Sequence, residues 1–260
     1  MELKGRTAVI TGGANGIGEA VAKSLAKSGM KISIGDISQE NIDRVVKDIR
    51  DAGGEAIGAL CDVTKEDQVA ALMDKTVSEL GEINVVFPSA GIIKDALMVS
   101  PDRETGKVTK KMSLADFQRV VDINLTGTFL TIREAVERMI NGGFKGVVFT
   151  VSSVNKVGVA GQINYSSTKA ATAVMPHILC NEFFKRSIQG IRAVGIAPGY
   201  VATPILTGMN PKALEAVLKT VPIGRLIEPD EIAALVKHCI ENEALHGITI
   251  DINGGIRPGN

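Results

Sequence analysis

Apolar and polar positions follow two different rhythms along the chain. Short aliphatic runs at 7–11 (TAVIT), 31–35 (KISIG), 56–60 (AIGAL), 84–87 (NVVF), 146–151 (GVVFTV), 193–197 (AVGIA) and 248–252 (ITIDI) read as seven strands. Between them, at 19–27, 40–52, 66–80, 114–140, 166–186 and 229–241, apolar residues recur every three or four positions, as in amphipathic helices. Strand, helix, strand in steady succession requires parallel strands joined by helical crossovers. No composition break, internal repeat or low-complexity tract interrupts the order. Residues 1–260 are therefore expected to form one α/β domain, a doubly wound parallel sheet of about seven strands with helices on both faces.

Two stretches break the rhythm. Residues 92–112 make a long polar connection in which 102–106 looks like a turn between two short extended arms. It reads either as a hairpin projecting toward solvent or another subunit, or as a wall of a substrate pocket, with Lys107, Lys110 and Lys111 as a solvated face. Residues 198–224 carry four prolines and follow the sixth strand. Ligands of open parallel sheets bind beyond the carboxyl ends of the strands, so connections after strands four, five and six are where chemistry is expected.

Composition narrows the partners. Lys+Arg and Asp+Glu both number 29, a net charge of +0, which argues against a nucleic-acid binder or a polybasic membrane surface. The opening MELKGRTAVITGG lacks the apolar core of a secretory signal, and no run approaches the ~20 apolar residues of a membrane span, so a cytoplasmic protein is expected. Cys61, Cys180 and Cys239 are widely spaced without a CxxC and read as reduced thiols. The three histidines form no HxxxH or HExxH spacing, and no metal site is expected.

The first candidate chemistry is a glycine turn. Thr11-Gly12-Gly13-Ala14-Asn15-Gly16-Ile17-Gly18 follows the first strand and opens the first helix, where glycines admit a tight turn and close backbone approach, and unpaired N–H groups face an anion. The spacing is GxxxGxG from Gly12, not GxGxxG. Asp36 ends the second strand, 18 residues beyond Gly18, where a carboxylate accepts both ribose hydroxyls of an adenosine and repels a 2′-phosphate. NAD is therefore expected over NADP; the alternative is that Asp36 only caps the following helix. Asp62 and Val63, closing the third strand, would hold the adenine edge. At the other end, Tyr165 and Lys169 stand four apart on one helical face, and an ammonium within ~4–6 Å of a phenol favours its ionised form.

Taken in order, TGGANGIG, Asn124, Ser152-Ser153, YSSTK and Pro198-Gly199 resemble the short-chain dehydrogenase/reductase family, over 3–255. The resemblance implies a Rossmann-type fold and an enzyme acting on CH–OH groups. It implies Tyr165 as general acid/base, Lys169 as the residue that holds the nicotinamide ribose and lowers the Tyr165 pKa, and Asn124 as the anchor of a relay water. A serine would bond the substrate oxygen. Thirteen residues before Tyr165 stands Ser152, whereas strand register selects Ser153, the expected choice because a strand slip flips every side chain. Pro198, Gly199, Val201 and Thr203 would hold the carboxamide. Ala90 and Gly91 would pass close to the adenosine ribose, although the family's NNAG is Pro88-Ser89-Ala90-Gly91 here, without the asparagine that braces the central strands. Members usually assemble as homo-oligomers, tetramers or dimers, through the fourth and fifth long helices and the last strand.

GQINY before Tyr165 is similar to 3-oxoacyl thioester reductases, including those acting on acyl carrier protein, of whose docking arginines Arg186 matches one. The expected substrate is a 3-hydroxyacyl or 3-oxoacyl thioester; the alternative is another small secondary alcohol, sugar alcohol or cyclic ketone. A non-catalytic NAD(H) sensor or scaffold would have lost members of the Asn, Ser, Tyr, Lys set, and a sugar-nucleotide epimerase would run longer.

Overall fold

The structure, a computed structural model, describes residues 1–256. Its strands are β1 (Thr7–Thr11), β2 (Lys31–Asp36), β3 (Glu55–Leu60), β4 (Val85–Pro88), β5 (Val99–Pro101), β6 (Val108–Lys111), β7 (Gly146–Val151), β8 (Ile191–Pro198) and β9 (Ile248–Ile252). Seven of them form one parallel sheet in the order β3-β2-β1-β4-β7-β8-β9, while β5 and β6 pair separately and antiparallel. The helices are α1 (Gly16–Lys27), α2 (Gln39–Asp51), α3 (Glu66–Leu80), α4 (Leu114–Val121), α5 (Gly127–Gly142), α6 (Ile163–Lys185), α7 (Pro204–Thr207), α8 (Pro211–Leu218) and α9 (Pro229–Glu241). This is the Rossmann-type arrangement. The order reverses between β1 and β4, which opens a crevice at the carboxyl ends of the strands.

Alternation along each strand divides the core. Ala8, Ile10, Val85, Phe87, Val147 and Phe149 face Leu25 of α1, Val45 of α2 and Val236 of α9. Val9, Val86 and Val148 point the other way, onto Leu72 of α3 and Met139 of α5. Cys61 and Cys239 are buried and Cys180 partly so, all three unpaired. Helix starts are closed locally: Ser38 accepts from the Asn41 amide at α2, and Ser113 from the Asp116 amide at α4.

Two elements depart from the sequence pattern, and a third follows one of its two readings. The helix expected over 114–140 is interrupted at Asp122–Thr126 by a π-helical turn that carries Asn124. An inserted residue of this kind leaves the apolar period on either side readable and is invisible to it. The proline-rich stretch 198–224 holds α7 and α8, because Pro204 and Pro211 occupy the first turn, where the missing N–H would be unpaired anyway. Residues 92–112 fold as a hairpin whose turn is closed by Asp102, a carboxylate that accepts from the Glu104 and Thr105 amides at 3.1 and 2.8 Å. Nearly all of the hairpin is exposed, and it is tied down at its base, where Ala96 N donates to Gly161 O and Asn164 Nδ2 to Lys94 O, both at 2.9 Å.

The missing brace at position 88 has a local counterpart. Pro88 pairs with Thr11 in the β1–β4 ladder, and the Thr11 hydroxyl is buried with no partner among the described residues. At the opposite end of the same strands Asn84, fully buried, accepts from Thr7 N at 2.9 Å and donates to Lys145 O at 2.9 Å, joining β1 to the start of β7.

Candidate active site

A cavity of ≈ 1230 Å³ opens at the carboxyl ends of β1 to β4, β7 and β8. Its inner end is the glycine turn. Gly12 has φ +65°, and a Cβ there would stand 2.5 Å from Ala90 N; a Cβ on Gly18 would stand 2.2 Å from Gly12 O. Gly16, at φ +53°, lies against Thr203, whose Cγ2 is 3.3 Å from where a Cβ would be. Asn15 is exposed and caps α1 without a side-chain bond, so the first amides of α1 remain free toward the crevice, beside Ile17. Side chains would fill this cradle, and their absence leaves backbone donors for a pyrophosphate.

Asp36 stands at the rim. Its Oδ2 accepts from Ala14 N at 3.1 Å and its Oδ1 from Ile37 N at 2.8 Å, which locks the carboxylate in place. Ser38 provides the cap of α2, so capping is not the task of Asp36. Among the described residues Asp36 forms no ion pair. Asp62 spends Oδ1 on Thr64, with N at 3.0 Å and Oγ1 at 2.8 Å, and Val63 is buried against Gly127. Ala90, Gly91, Pro198, Gly199 and Val201 also line the cavity. The Val201 side chain is buried and its backbone bridges to Ile227, so it reaches a ligand only through main-chain atoms. The donor set and the side-chain-free cradle fit an extended dinucleotide.

At the other end the two serines separate. Ser152 Oγ donates to Lys169 O at 2.7 Å and fastens β7 to α6, whereas Ser153 Oγ accepts from Asn155 N at 3.2 Å and lines the cavity with Tyr165. Lys169 Nζ lies 5.6 Å from the Tyr165 ring centroid and donates to Val151 O at 2.8 Å. Gly91 packs where a Cβ would stand 3.3 Å from Asn124 Oδ1 and 3.9 Å from Lys169 Nζ, so Asn124, Lys169 and the turn after β4 meet at one point. Asn124 holds that turn with both side-chain atoms, accepting from Ile92 N at 2.8 Å and donating to Ile92 O at 2.9 Å.

Electrostatics differ from the sequence expectation in one respect. Burial pushes the Tyr165 phenol above its ordinary value, against the influence of the Ser153 hydroxyl, which favours ionisation, and the nearby Asp95 charge adds to the rise. Lys169 does not enter among the causes. Its own ammonium is buried with a carbonyl for partner and no carboxylate, and burial pushes it down to about 8. In this environment Tyr165 is a neutral phenol that carries a proton it could donate.

Sequence reasoning missed a polar wall beside these groups, made by Asp95, Asn155 and Gln162. Only the position of Asn155, two residues after Ser153, signals it. Arg186 sits at the C-cap of α6, outside the cavity. No described group of His, Cys, Asp and Glu is arranged to hold a metal, and no described helix is long and apolar enough to cross a membrane.

Comparison with known proteins agrees with this geometry. The family described as short chain dehydrogenase matches residues 6–214. The cis-4-hydroxycyclohexanecarboxylate dehydrogenase of Sinomonas cyclohexanicum is 35% identical over 252 residues, 96% of each chain. The 3-oxoacyl-(acyl-carrier-protein) reductase of Thermotoga maritima is 33% identical over 258 residues, 98% of this chain and 99% of that one. A short-chain type dehydrogenase/reductase from Mycobacterium marinum superposes with TM-score 0.84 at 29% identity, covering 100% of this chain and 98% of that chain. With its seven-stranded sheet, its glycine turn and its Ser153, Tyr165 and Lys169 in one cavity, the chain belongs to the short-chain dehydrogenase family, oxidoreductases of CH–OH groups that use a nicotinamide cofactor.

Proposed function

We propose that the protein is an NAD-dependent dehydrogenase of secondary alcohols and their ketones, with Asn124, Ser153, Tyr165 and Lys169 as its catalytic set. The observation that carries this reading is the convergence of the Ser153 hydroxyl, the Tyr165 phenol and the Lys169 ammonium in the cavity that Asp36 rims. Gly12, Asn15, Gly16, Ile17 and Gly18 would hold the pyrophosphate, Asp36 the adenosine ribose, Asp62 and Val63 the adenine. Ala90 and Gly91 would pass the ribose, and Pro198, Gly199, Val201 and Thr203 would hold the carboxamide. Bound there, the nicotinamide supplies the hydride chemistry.

The side chains manage the proton. Tyr165, kept neutral by burial, donates H⁺ from its hydroxyl to a ketone oxygen as charge develops on it; in the alcohol direction the same oxygen accepts. Ser153, oriented by the Asn155 amide, bonds the same substrate oxygen. Lys169 places a positive charge behind the Tyr165 ring, and Asn124 fixes the turn whose Gly91 backbone approaches it. Asp36 favours NAD because its carboxylate is held by three amides with no cation to neutralise it against a 2′-phosphate.

Two substrate groups fall within this chemistry: 3-hydroxyacyl thioesters, expected from the sequence, and small cyclic alcohols, for one of which the Sinomonas relative is named. The apolar side chains exposed on α5 (Phe129, Ile140), α6 (Val174, Ile178) and β9 (Ile248) support a homo-oligomer, dimer or tetramer, and light scattering tests it. The functional test follows NADH absorbance with acetoacetyl-CoA and a panel of cyclic secondary alcohols, using both dinucleotides. Turnover with NAD(H) that Tyr165→Phe abolishes is expected. Full activity in that variant, or a preference for NADP(H), would overturn the proton donor or the Asp36 argument respectively.

A further inference from the structure

The polar wall of the cavity has a fixed polarity. Asp95, on the arm that leads to the hairpin, has an ionised carboxylate that only accepts hydrogen bonds. Gln162, which is buried, must therefore turn its Nε2 toward it, and does so at 2.9 Å. That leaves Gln162 Oε1 facing the other way, as an acceptor for Asn155 Nδ2, also at 2.9 Å. Asn155 is more than nine-tenths buried, and its Oδ1 is left with no hydrogen bond among the described residues. This oxygen is not sealed from solvent, and the residue lines the cavity. One carboxylate thus orients two amides in series and leaves a carbonyl-type oxygen looking into the substrate space. The Asn155 backbone amide meanwhile donates to Ser153 Oγ, so this acceptor belongs to the residue that orients the serine beside Tyr165.

We infer that Asn155 is a specificity-determining residue whose Oδ1 accepts a hydrogen bond from a second hydroxyl on the substrate, next to the carbinol under reaction. The substrate class is then a hydroxylated ring or other vicinal diol. This rests on the dehydrogenase reading above and narrows it. A thioester carbonyl, one methylene away from the reacting carbon, offers only acceptors and would leave the buried Asn155 oxygen unpaired, whereas a neighbouring hydroxyl satisfies it. Buried polar groups discriminate strongly on this basis, by 10⁴–10⁵ where a site is fully built for the missing group, and by less at a wall that is open to water on one side. Asp95 acts at one remove, as a positioning residue. In Asp95→Asn the end of the chain both donates and accepts, so Gln162 and Asn155 are released to turn over and present Nδ2 instead.

The test compares kcat/KM for cis-cyclohexane-1,2-diol, cyclohexanol and 3-hydroxybutyryl-CoA in wild type, Asn155→Val and Asp95→Asn, with thermal melts to check folding. Wild type is expected to favour the diol over cyclohexanol by roughly tenfold or more, as for one satisfied hydrogen bond. The ratio should fall toward unity in Asn155→Val and several-fold in Asp95→Asn. A diol-to-cyclohexanol ratio near unity in wild type, no turnover of the diol, better turnover of the thioester, or an unchanged ratio in both variants overturns the inference. Turnover that survives Tyr165→Phe is a different result and overturns the dehydrogenase reading itself.

Discussion

Lys169 offers a test in which activity and stability move in opposite directions. Its ammonium is buried at the back of the cavity with the Val151 carbonyl as its acceptor, and it titrates at about 8 in place of 10.5. At ~1.4 kcal/mol for each tenfold change in proton affinity, that displacement means that the folded protein at pH 7 carries a penalty of about 3 kcal/mol for keeping this group charged. A lysine whose folded value lies below its unfolded one binds fewer protons in the folded state between about 8 and 10.5, so wild-type stability rises with pH across that window. In Lys169→Met the penalty is gone while the stem is kept, and the Val151 carbonyl loses its donor at a cost of about 1 kcal/mol. The variant should therefore be more stable than wild type by about 2 kcal/mol at pH 7 and no more stable at pH 10, where the wild-type penalty has shrunk below about 1 kcal/mol. Its dehydrogenase activity should be lost. Urea unfolding at the two pH values, paired with NADH absorbance kinetics, reads both effects. A stability difference of equal size at pH 7 and pH 10, or a variant less stable than wild type at pH 7, would refute the argument that Lys169 is a buried, uncompensated charge.

Four further outcomes are expected. Asp36→Asn should reduce the preference for NAD over NADP by roughly tenfold or more, since a carboxylate and a phosphate charge ~4 Å apart repel by about 1–4 kcal/mol between bulk water and a surface-like dielectric; equal ratios of kcat/KM in variant and wild type would remove Asp36 from cofactor selection. Ser153→Ala should lower kcat by about 10²-fold or more with little change in melting temperature. Ser152→Ala should lower stability by about 1–2 kcal/mol through the lost bond to Lys169 O, and the reverse pattern would exchange their roles. Deleting 101–109 should leave kcat/KM for every substrate unchanged, because none of 96–112 lines the cavity, and a shift in substrate selectivity would restore the hairpin as a pocket wall.

The elements of this protein are legible in one dimension because their causes are local. The alternation in TAVIT and GVVFTV and the helical period over 66–80 depend on which side chains a strand or helix turns to one face. The glycine turn after β1 is local in part: Gly12 takes a positive φ and a Cβ on Gly18 would strike Gly12, whereas the approach of Ala90 to Gly12 is tertiary. Strand register pointed to Ser153 over Ser152 as the candidate serine. The π turn at Asn124 escaped because one extra residue leaves the apolar pattern intact on both sides, and Pro204 and Pro211 misled because a proline that ends a helix and one that begins it look alike without a fold.

What only the tertiary structure decided concerns environment. Sequence spacing placed an ammonium beside the Tyr165 phenol, but burial, which depends on everything packed around the ring, is the largest influence there and pushes the phenol upward. The polar wall joins Asp95 to Gln162 across 67 positions, and no local rule connects them. Residue types and short-range geometry therefore announced the reaction class. Desolvation and long-range hydrogen bonds, which exist only once the chain has closed on itself, set the charge state of the Tyr165 phenol and the shape of the space around it.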